Sequence, residues 1–327
     1  MKILAIETSC DYTSLAIFEN EKLIALDTKS QIKIHQATGW VVPEVAAREH
    51  ANAIFEVLDT VLFQAKITLQ DIDYIAVTGY PGLIPSLLTG ITLARTLAKI
   101  LQKPLLGLNH IQGHIFSNFL ERKESDVKFP LVCLTVSGGH NDIYFMHSMW
   151  EMEKIGSSND DAAGESYDKV AKMMWLPYPG GPIISQLAWE YTETGKAELF
   201  PRVWLKKTEF DFSFSGLKSA VKREVDKRIW EKGELSPDDK REISFEFQNA
   251  VNEVLAYKLI SGAGEKWVQT VMLAGWVSAN EDLKQKIWEL AKKNNLSFIH
   301  PIKNLYCMDN AAMIGILAYY KIKSLNL

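Results

Sequence analysis

Cysteine is scarce in this chain. The three residues, Cys10, Cys133 and Cys307, are odd in number and far apart. That excludes a disulfide scaffold and makes a reducing cytoplasm the expected setting. No uninterrupted apolar run reaches the length of a membrane span, and the opening Met1-Lys-Ile-Leu-Ala-Ile-Glu7 turns acidic too early for a signal peptide. Neither a membrane anchor nor export is expected. A basic surplus is also missing, since 36 Lys and Arg stand against 40 Asp and Glu, for a net charge of −4. A protein that grips nucleic acid alone usually carries excess positive charge, so any RNA must be held by a local patch or with partner proteins. Glycine is thin at 19, where average usage of about 7% predicts roughly 23. Tryptophan, by contrast, reaches nine. The 327 residues are 47% hydrophobic and 23% charged, the balance of a globular protein with one large or two moderate domains.

The first thirty residues alternate with a period of two, predicting strands over Lys2–Ile6, Thr13–Phe18 and Lys22–Asp27 around the polar loop Glu7-Thr-Ser-Cys-Asp11. Apolar residues at helical spacing predict a helix over Ile84–Gln102, with Pro85 in its first turn. The opening arrangement then recurs: Leu131–Val136 is a strand, Ser137-Gly-Gly-His140 a tight loop, and Asp142–Met146 a returning strand. Either the fold is duplicated into two similar lobes, or two hairpins coincide. From Glu151 to Lys240 the chain is richer in charge. Thr270–Ala274 then reads as a buried strand, Gly275–Asn280 as a loop and Glu281–Lys293 as an amphipathic helix. A last helix, Ala311–Lys323, is expected to return onto the first lobe.

His110 and His114 carry the clearest chemistry. Four residues apart on a helix, two imidazoles share one face and can grip one divalent metal. Ile111 stands where the glutamate base of an H-E-x-x-H protease would be, which argues against proteolysis. Asp309 and Asn310 open the last helix, as an N-cap or as the source of a third, carboxylate ligand. Ser137-Gly138-Gly139, Pro179-Gly-Gly-Pro182 and Gly275–Asn280 offer unobstructed backbone N–H groups, and three such loops in one chain favour a nucleotide site. Asp160, Asp161, Glu165 and Asp168 crowd one segment around Ala162-Ala-Gly164, where small residues let a ligand or another backbone come close. Lys218, Lys222 and Arg223, followed by Lys227 and Arg228, form the main basic run. It is either a solvated helix face or an RNA contact.

Taken in order, Glu7-Thr-Ser-Cys-Asp11, Val41–Val45, Pro81-Gly-Leu83, His110-x-x-x-His114, Ser137-Gly-Gly-His140, Asp160–Lys169, Tyr178–Pro182, Asp211–Lys218, Val277–Asn280 and Asp309-Asn310 resemble, nearly end to end, the bacterial tRNA adenosine threonylcarbamoyltransferase family. The resemblance implies an α/β fold of the duplicated actin/sugar-kinase/heat-shock ATPase class, two lobes around a central cleft. Residues 1–105 and 308–327 would form the N-terminal lobe, and 106–307 a C-terminal lobe carrying the metal and nucleotide loops. It further implies that His110, His114 and Asp309 hold iron, with zinc as the alternative. Val136, Ser137, Gly138, Gly139, Asp168, Gly181 and Asn280 would bind threonylcarbamoyl-AMP, and Asp11 would stand near the reacting centre. The expected partners are tRNA, a small paralogous subunit and an ATPase subunit. The competing classes are a small-molecule kinase of the same fold and a catalytically impaired structural subunit.

Some positions depart from the family pattern. Tyr12 replaces its usual acid, Tyr80 and Pro85 flank Pro81-Gly-Leu83 in place of glycine, and Met308 replaces a small residue. Trp40, Trp175 and Trp276 each stand where glycine is usual. One type of exchange at three separate loops points to a gene in which UGA encodes glycine but is read here as tryptophan. The competing reading is a diverged copy with a partly filled nucleotide site.

Overall fold

A computed structural model describes residues 1–192, 198–204 and 210–325. It divides into two units, Met1–Val127 with Pro301–Leu327, and Lys128–His300.

The first unit is built on β1 (Lys2–Glu7), β2 (Tyr12–Glu19), β3 (Lys22–Ser30), β4 (Tyr74–Tyr80) and β5 (Leu105–Asn109), in the order β3-β2-β1-β4-β5. β1 pairs antiparallel with β2, Ile3 opposite Phe18, and parallel with β4, Leu4 opposite Ile75. Its residues Ile3 to Ile6 are all fully buried because both sheet faces are covered. Leu4 and Ile6 pack under α2 (Pro43–Ala65) and α3 (Ile84–Leu101), with Ile54, Val57, Leu93 and Leu97. A short α1 (Ile32–His35) precedes them, and α4 (His110–Phe116) follows β5. The C-terminal helix Ala311–Leu325 packs against β1, β2 and α4, approaching so closely that a Cβ on Gly315 would meet the Phe18 ring at 2.3 Å. By length and composition alone α3 is apolar enough to cross a membrane, but it has Leu87, Leu93, Ala94 and Leu97 buried in this unit.

The second unit repeats the plan. Its strands are β6 (Leu131–Val136), β7 (Asn141–Met146), β8 (Met152–Ser157), β9 (Thr270–Ala274) and β10 (Ser297–Ile299), in the order β8-β7-β6-β9-β10. Around them lie α5 (Ala163–Met173), α6 (Gly180–Trp189), α7 (Ser215–Lys232), α8 (Pro237–Glu265) and α9 (Glu281–Lys293). The 29-residue α8 starts on a capping box, in which the Asp239 N–H donates to Ser236 Oγ at 3.1 Å and the Ser236 N–H to Asp239 Oδ2 at 3.0 Å. Val132, Leu134, Phe212, Phe214, Phe247 and Leu255 centre its core.

In each unit the first three strands form an antiparallel meander and the last two join in parallel beside the first. Five strands matched in order and direction exclude a coincidence of two hairpins. The fold is a duplicated α/β architecture.

The unit boundaries differ from the expected 105/106 and 307/308. β5 hydrogen-bonds to β4, and a Cβ on Gly113 of α4 would meet Ile314 of the C-terminal helix at 2.9 Å. The histidine pair therefore belongs to the first unit, together with Asp309, and not to a C-terminal lobe.

Two tryptophans hold left-handed backbone, Trp175 at φ +54° and Trp267 at φ +54°. Each follows a helix in the same way. The Leu176 N–H donates to the Ala171 carbonyl at 2.9 Å and the Val268 N–H to the Ala263 carbonyl at 3.1 Å, closing a loop whose left-handed position is ordinarily glycine. The indoles are 69% and 92% exposed, so no packing offsets a conformation that costs an L residue roughly 1–2 kcal/mol. Trp175→Gly and Trp267→Gly should therefore be neutral or stabilising by up to about 1 kcal/mol in urea denaturation. Trp288→Gly, in the middle of α9, should cost about 1 kcal/mol or more. The glycine reading of positions 40, 175 and 276 makes a sharper demand. Peptides from the source organism must carry glycine masses there, and tryptophan masses or UGG codons refute it.

Candidate metal centre

Strand β5 runs straight into α4. The Asn109 side chain caps that helix by accepting the Gln112 N–H at 3.0 Å, and this cap places His110 at the first helical residue. His114 lies one turn on, its ring centroid 4.6 Å from that of His110 and nearly perpendicular to it. Asp309 arrives from the other end of the chain. Asn310, not Asp309, supplies the cap of the C-terminal helix: its Oδ1 accepts the Met313 N–H at 3.3 Å, and its Nδ2 donates to the Leu305 and Met308 carbonyls. Ser14 Oγ on β2 accepts the Ala311 N–H at 2.9 Å. The helix start is thus satisfied without Asp309, whose carboxylate is left to face the imidazoles. Its Oδ1 lies 3.1 Å from His114 Nε2 and 3.7 Å from His110 Nε2.

His110, His114 and Asp309 each offer one ligand atom within 4.8 Å of the others. Two imidazole nitrogens and one carboxylate oxygen are the donors that zinc and non-haem iron take, with positions left open for substrate. His114 Nδ1 is buried without a hydrogen-bond partner, so no protein group competes for that ring beyond Asp309. The donors fit a divalent metal.

Charge points the same way. Glu7, at the end of β1, is completely buried. Burial works against its ionisation, but the His110 imidazole holds it below the usual carboxylate range. Burial likewise opposes ionisation of Asp309, and His110 and His114 overcome it. His110 is pushed up to about 9: burial works against the imidazolium, and Asp309 and Glu7 outweigh it. The buried Glu7 and half-buried Asp309 carboxylates need a positive partner, either one imidazolium or a divalent cation, and a cation must displace the imidazolium proton to bind.

Asp11 is buried at 6% exposure in the β1–β2 loop, where its carbonyl accepts the Gln31 N–H at 2.9 Å. Burial, together with the Asp11 and Asp309 charges, pushes the neighbouring Cys10 thiol well up, which makes Cys10 a poor nucleophile. Burial and Asp11 push the Tyr12 hydroxyl up to about 12.

The expected nucleotide residues lie in the second unit. Ser137 closes a tight turn, its N–H donating to the His140 carbonyl at 2.8 Å, while Cβ atoms on Gly138, Gly139 or Gly181 would meet nothing within 4 Å. Ala162-Ala-Gly164 is small for a backbone reason: a Cβ on Gly164 would stand 2.7 Å from the Ser137 carbonyl. Asp168 Oδ1 accepts the Gly180 N–H at 2.7 Å, and burial pushes its carboxyl up to about 6 against the Gly180 and Gly181 N–H groups. Val136 is fully buried, and its carbonyl lies beneath Gly275. Trp276 is half-buried and starts the short turn after Gly275. Asn280 is heavily committed, accepting the Leu283 N–H at 2.9 Å as the cap of α9 and donating to Ser185 Oγ and Gln248 Oε1.

The basic run is split. Lys218 is tied to Asp161, which also holds Lys169. Lys222 is exposed and pairs with Asp226 at 2.9 Å, and Arg223 is exposed beside it. Asp160 is likewise structural, accepting the Phe214 N–H at 2.8 Å and the Ser215 hydroxyl at 2.7 Å. Sequence reasoning missed Glu7, Ser9 and Thr78. The available signal was an acid closing an otherwise apolar strand.

The chain is similar to known proteins over nearly its whole length. The family model for "TsaD: tRNA N6-adenosine threonylcarbamoyltransferase" matches residues 22–316. A protein of that description from Staphylococcus haemolyticus is 44% identical over 323 residues, covering 98% of this chain and 92% of the relative. One from Syntrophomonas wolfei is 44% identical over 319 residues, covering 97% and 91%. Among solved structures, full-length HypF superposes with a TM-score of 0.63 at 13% identity, over 98% of this chain and 46% of that one. Component A of the Acidaminococcus fermentans (R)-2-hydroxyglutaryl-CoA dehydratase does so with 0.54 at 13%, over 99% of each.

Proposed function

The chain belongs to the tRNA N6-adenosine threonylcarbamoyltransferase family, and on that premise we propose that it transfers a threonylcarbamoyl group from threonylcarbamoyl-AMP to N6 of the adenosine beside the tRNA anticodon. The N6 amine attacks the carbamoyl carbonyl carbon, the bond from that carbon to the phosphate oxygen breaks, and AMP leaves with the electron pair. We assign Asp11 to the reacting centre, as the acceptor of the proton that N6 gives up. His110, His114 and Asp309 would hold iron, or zinc in its place. When bound, this metal would supply Lewis acidity. Gly138 and Gly139, next to Val136 and Ser137, present N–H groups to the leaving phosphate, and the Ser137 N–H must leave the His140 carbonyl to join them. Asp168, Gly181 and Asn280 contact the adenylate, and Asn280 must exchange some of its present bonds to do so.

No protein nucleophile is required, which agrees with the raised Cys10 thiol. The observation that carries the reading is the convergence of His110, His114 and Asp309, set within a chain 44% identical to a curated relative over 98% of its length. The net charge of −4 suits an enzyme that meets tRNA with others, a small paralogous subunit and an ATPase subunit, in the cytoplasm. Exposed Lys222 and Arg223 are the better tRNA contacts on α7, since Lys218 is part-buried against Asp161 whereas Lys222 pairs only with exposed Asp226 on its own helix.

The test supplies the protein, purified anaerobically, with tRNA, both partner subunits, labelled threonine, bicarbonate, ATP and an enzyme that makes the adenylate. Label should enter tRNA and AMP should be released. Unlabelled tRNA in the presence of metal-loaded protein and all partners would overturn the reading.

A further inference from the structure

Glu7 is a fully buried carboxylate that the reaction described above does not use. It ends β1, with β4 beside it and β5 next in the sheet. Its environment is built around it from all three strands. The Ser9 N–H donates to Oε1 at 2.6 Å, the Thr78 hydroxyl on β4 donates to Oε2, and His110 Nδ1, just after β5, lies 3.3 Å from Oε2. The other ring nitrogen, His110 Nε2, faces Asp309 and is the atom available to a metal.

We propose that Glu7 is the positioning residue of the metal centre, fixing His110 with its proton on Nδ1 so that the Nε2 lone pair is presented to the ion. This inference rests on the metal reading above. Glu7 already accepts the Ser9 N–H on Oε1 and the Thr78 hydroxyl on Oε2, so it faces His110 as an acceptor and the nitrogen opposite it is the one that carries the proton. Ser9 Oγ lies closer to Nδ1, at 3.1 Å, but a hydroxyl donates as readily as it accepts and cannot choose the tautomer. A carboxylate behind a metal-bound imidazole both orients the ring and raises its basicity. The arrangement is also asymmetric. His114 Nδ1 is buried and has no such partner, so the tautomer control is confined to His110.

Glu7→Gln tests this directly. Three donors converge on the carboxylate, and an amide cannot accept from all of them. If its oxygen keeps the Ser9 N–H, its NH₂ turns toward His110 Nδ1 and selects the Nε2–H tautomer, which cannot ligate. Zn²⁺ alone is the probe, titrated calorimetrically into metal-free wild type, Glu7→Gln and Ser9→Ala, with thermal unfolding to show that each is folded. The expected result is about 10–100-fold weaker Zn²⁺ binding for Glu7→Gln and a change within a few-fold for Ser9→Ala. ¹⁵N spectra of histidine-labelled, Zn²⁺-loaded wild type should show the His110 proton on Nδ1. Wild type that binds no Zn²⁺ refutes the metal reading itself. Wild type that binds while Glu7→Gln binds equally well, or Ser9→Ala losing as much as Glu7→Gln, overturns the role of Glu7 alone. Should Glu7→Gln not fold, Ser9→Ala and the position of the His110 proton in wild type still decide.

Discussion

Replacing His114 with alanine is expected to abolish metal retention and lower threonylcarbamoyl transfer by more than about 100-fold, with the fold intact. The size follows from a comparison of shells. Removing an outer partner of a metal ligand costs about 10–100-fold, so removing a ligand must cost more. Among the described residues His114 offers one of three clustered donors, and its loss leaves His110 and Asp309, too few to hold an ion against water. The fold should survive because the ring makes few structural bonds: Nδ1 has no partner and Nε2 meets only Asp309. Removal does relieve Asp309 of one of the two imidazoles that hold it ionised, so a modest change in stability is expected too. Metal analysis of the purified variant, beside the transfer assay, checks the prediction. Full metal content with lost activity would refute the ligand assignment.

Gly275→Ala should produce the largest effect on stability. Gly275 sits at φ +89° and ψ 173°, a region essentially closed to residues with a side chain, which costs of order 1–3 kcal/mol. A Cβ there would also stand 2.5 Å from the Val136 carbonyl oxygen and 2.9 Å from its carbon, atoms of a central strand that cannot move aside. Overpacking of that kind adds about 1–3 kcal/mol. Together they predict a loss of about 3–5 kcal/mol, a large share of the roughly 5–15 kcal/mol of a typical domain. Gly264→Ala, where a Cβ would meet nothing within 4 Å, serves as the control and should stay within about 1 kcal/mol. Urea denaturation of both variants settles it, and equal midpoints would refute the backbone argument.

Local patterns in the sequence were a good guide to elements and a poor guide to partners. Alternation placed β1, β2, β6 and β7 within a residue or two, and the return of the last helix onto the first strands was also legible. Both are statements about neighbours in the chain or about one face of one element. The unit boundary was not legible, because β5 has the same apolar character whichever sheet it joins, and only its pairing with β4 decides. Lys218 looked like a free cation until Asp161, 57 residues away, came to meet it. Glu7 looked like the first residue of a polar loop, and nothing within the loop hinted at an imidazole more than a hundred residues on. Asp309 was the exception, legible only through the ordered family pattern, since an acid before a helix is ordinarily a cap. Here Asn310 is the cap.

The way the C-terminal helix closes the first unit also sets a schedule for synthesis. On the ribosome, the second unit is complete once His300 has emerged, whereas the first still lacks residues 301–327. His114 is made 195 residues before the aspartate that lies opposite it, and His110 earlier still. A nascent or prematurely ended chain can therefore hold a finished second unit while the first still lacks the helix that packs on β1 and β2, and the proposed metal centre lacks its carboxylate. The proposed set of donors is complete only once synthesis has passed Asp309.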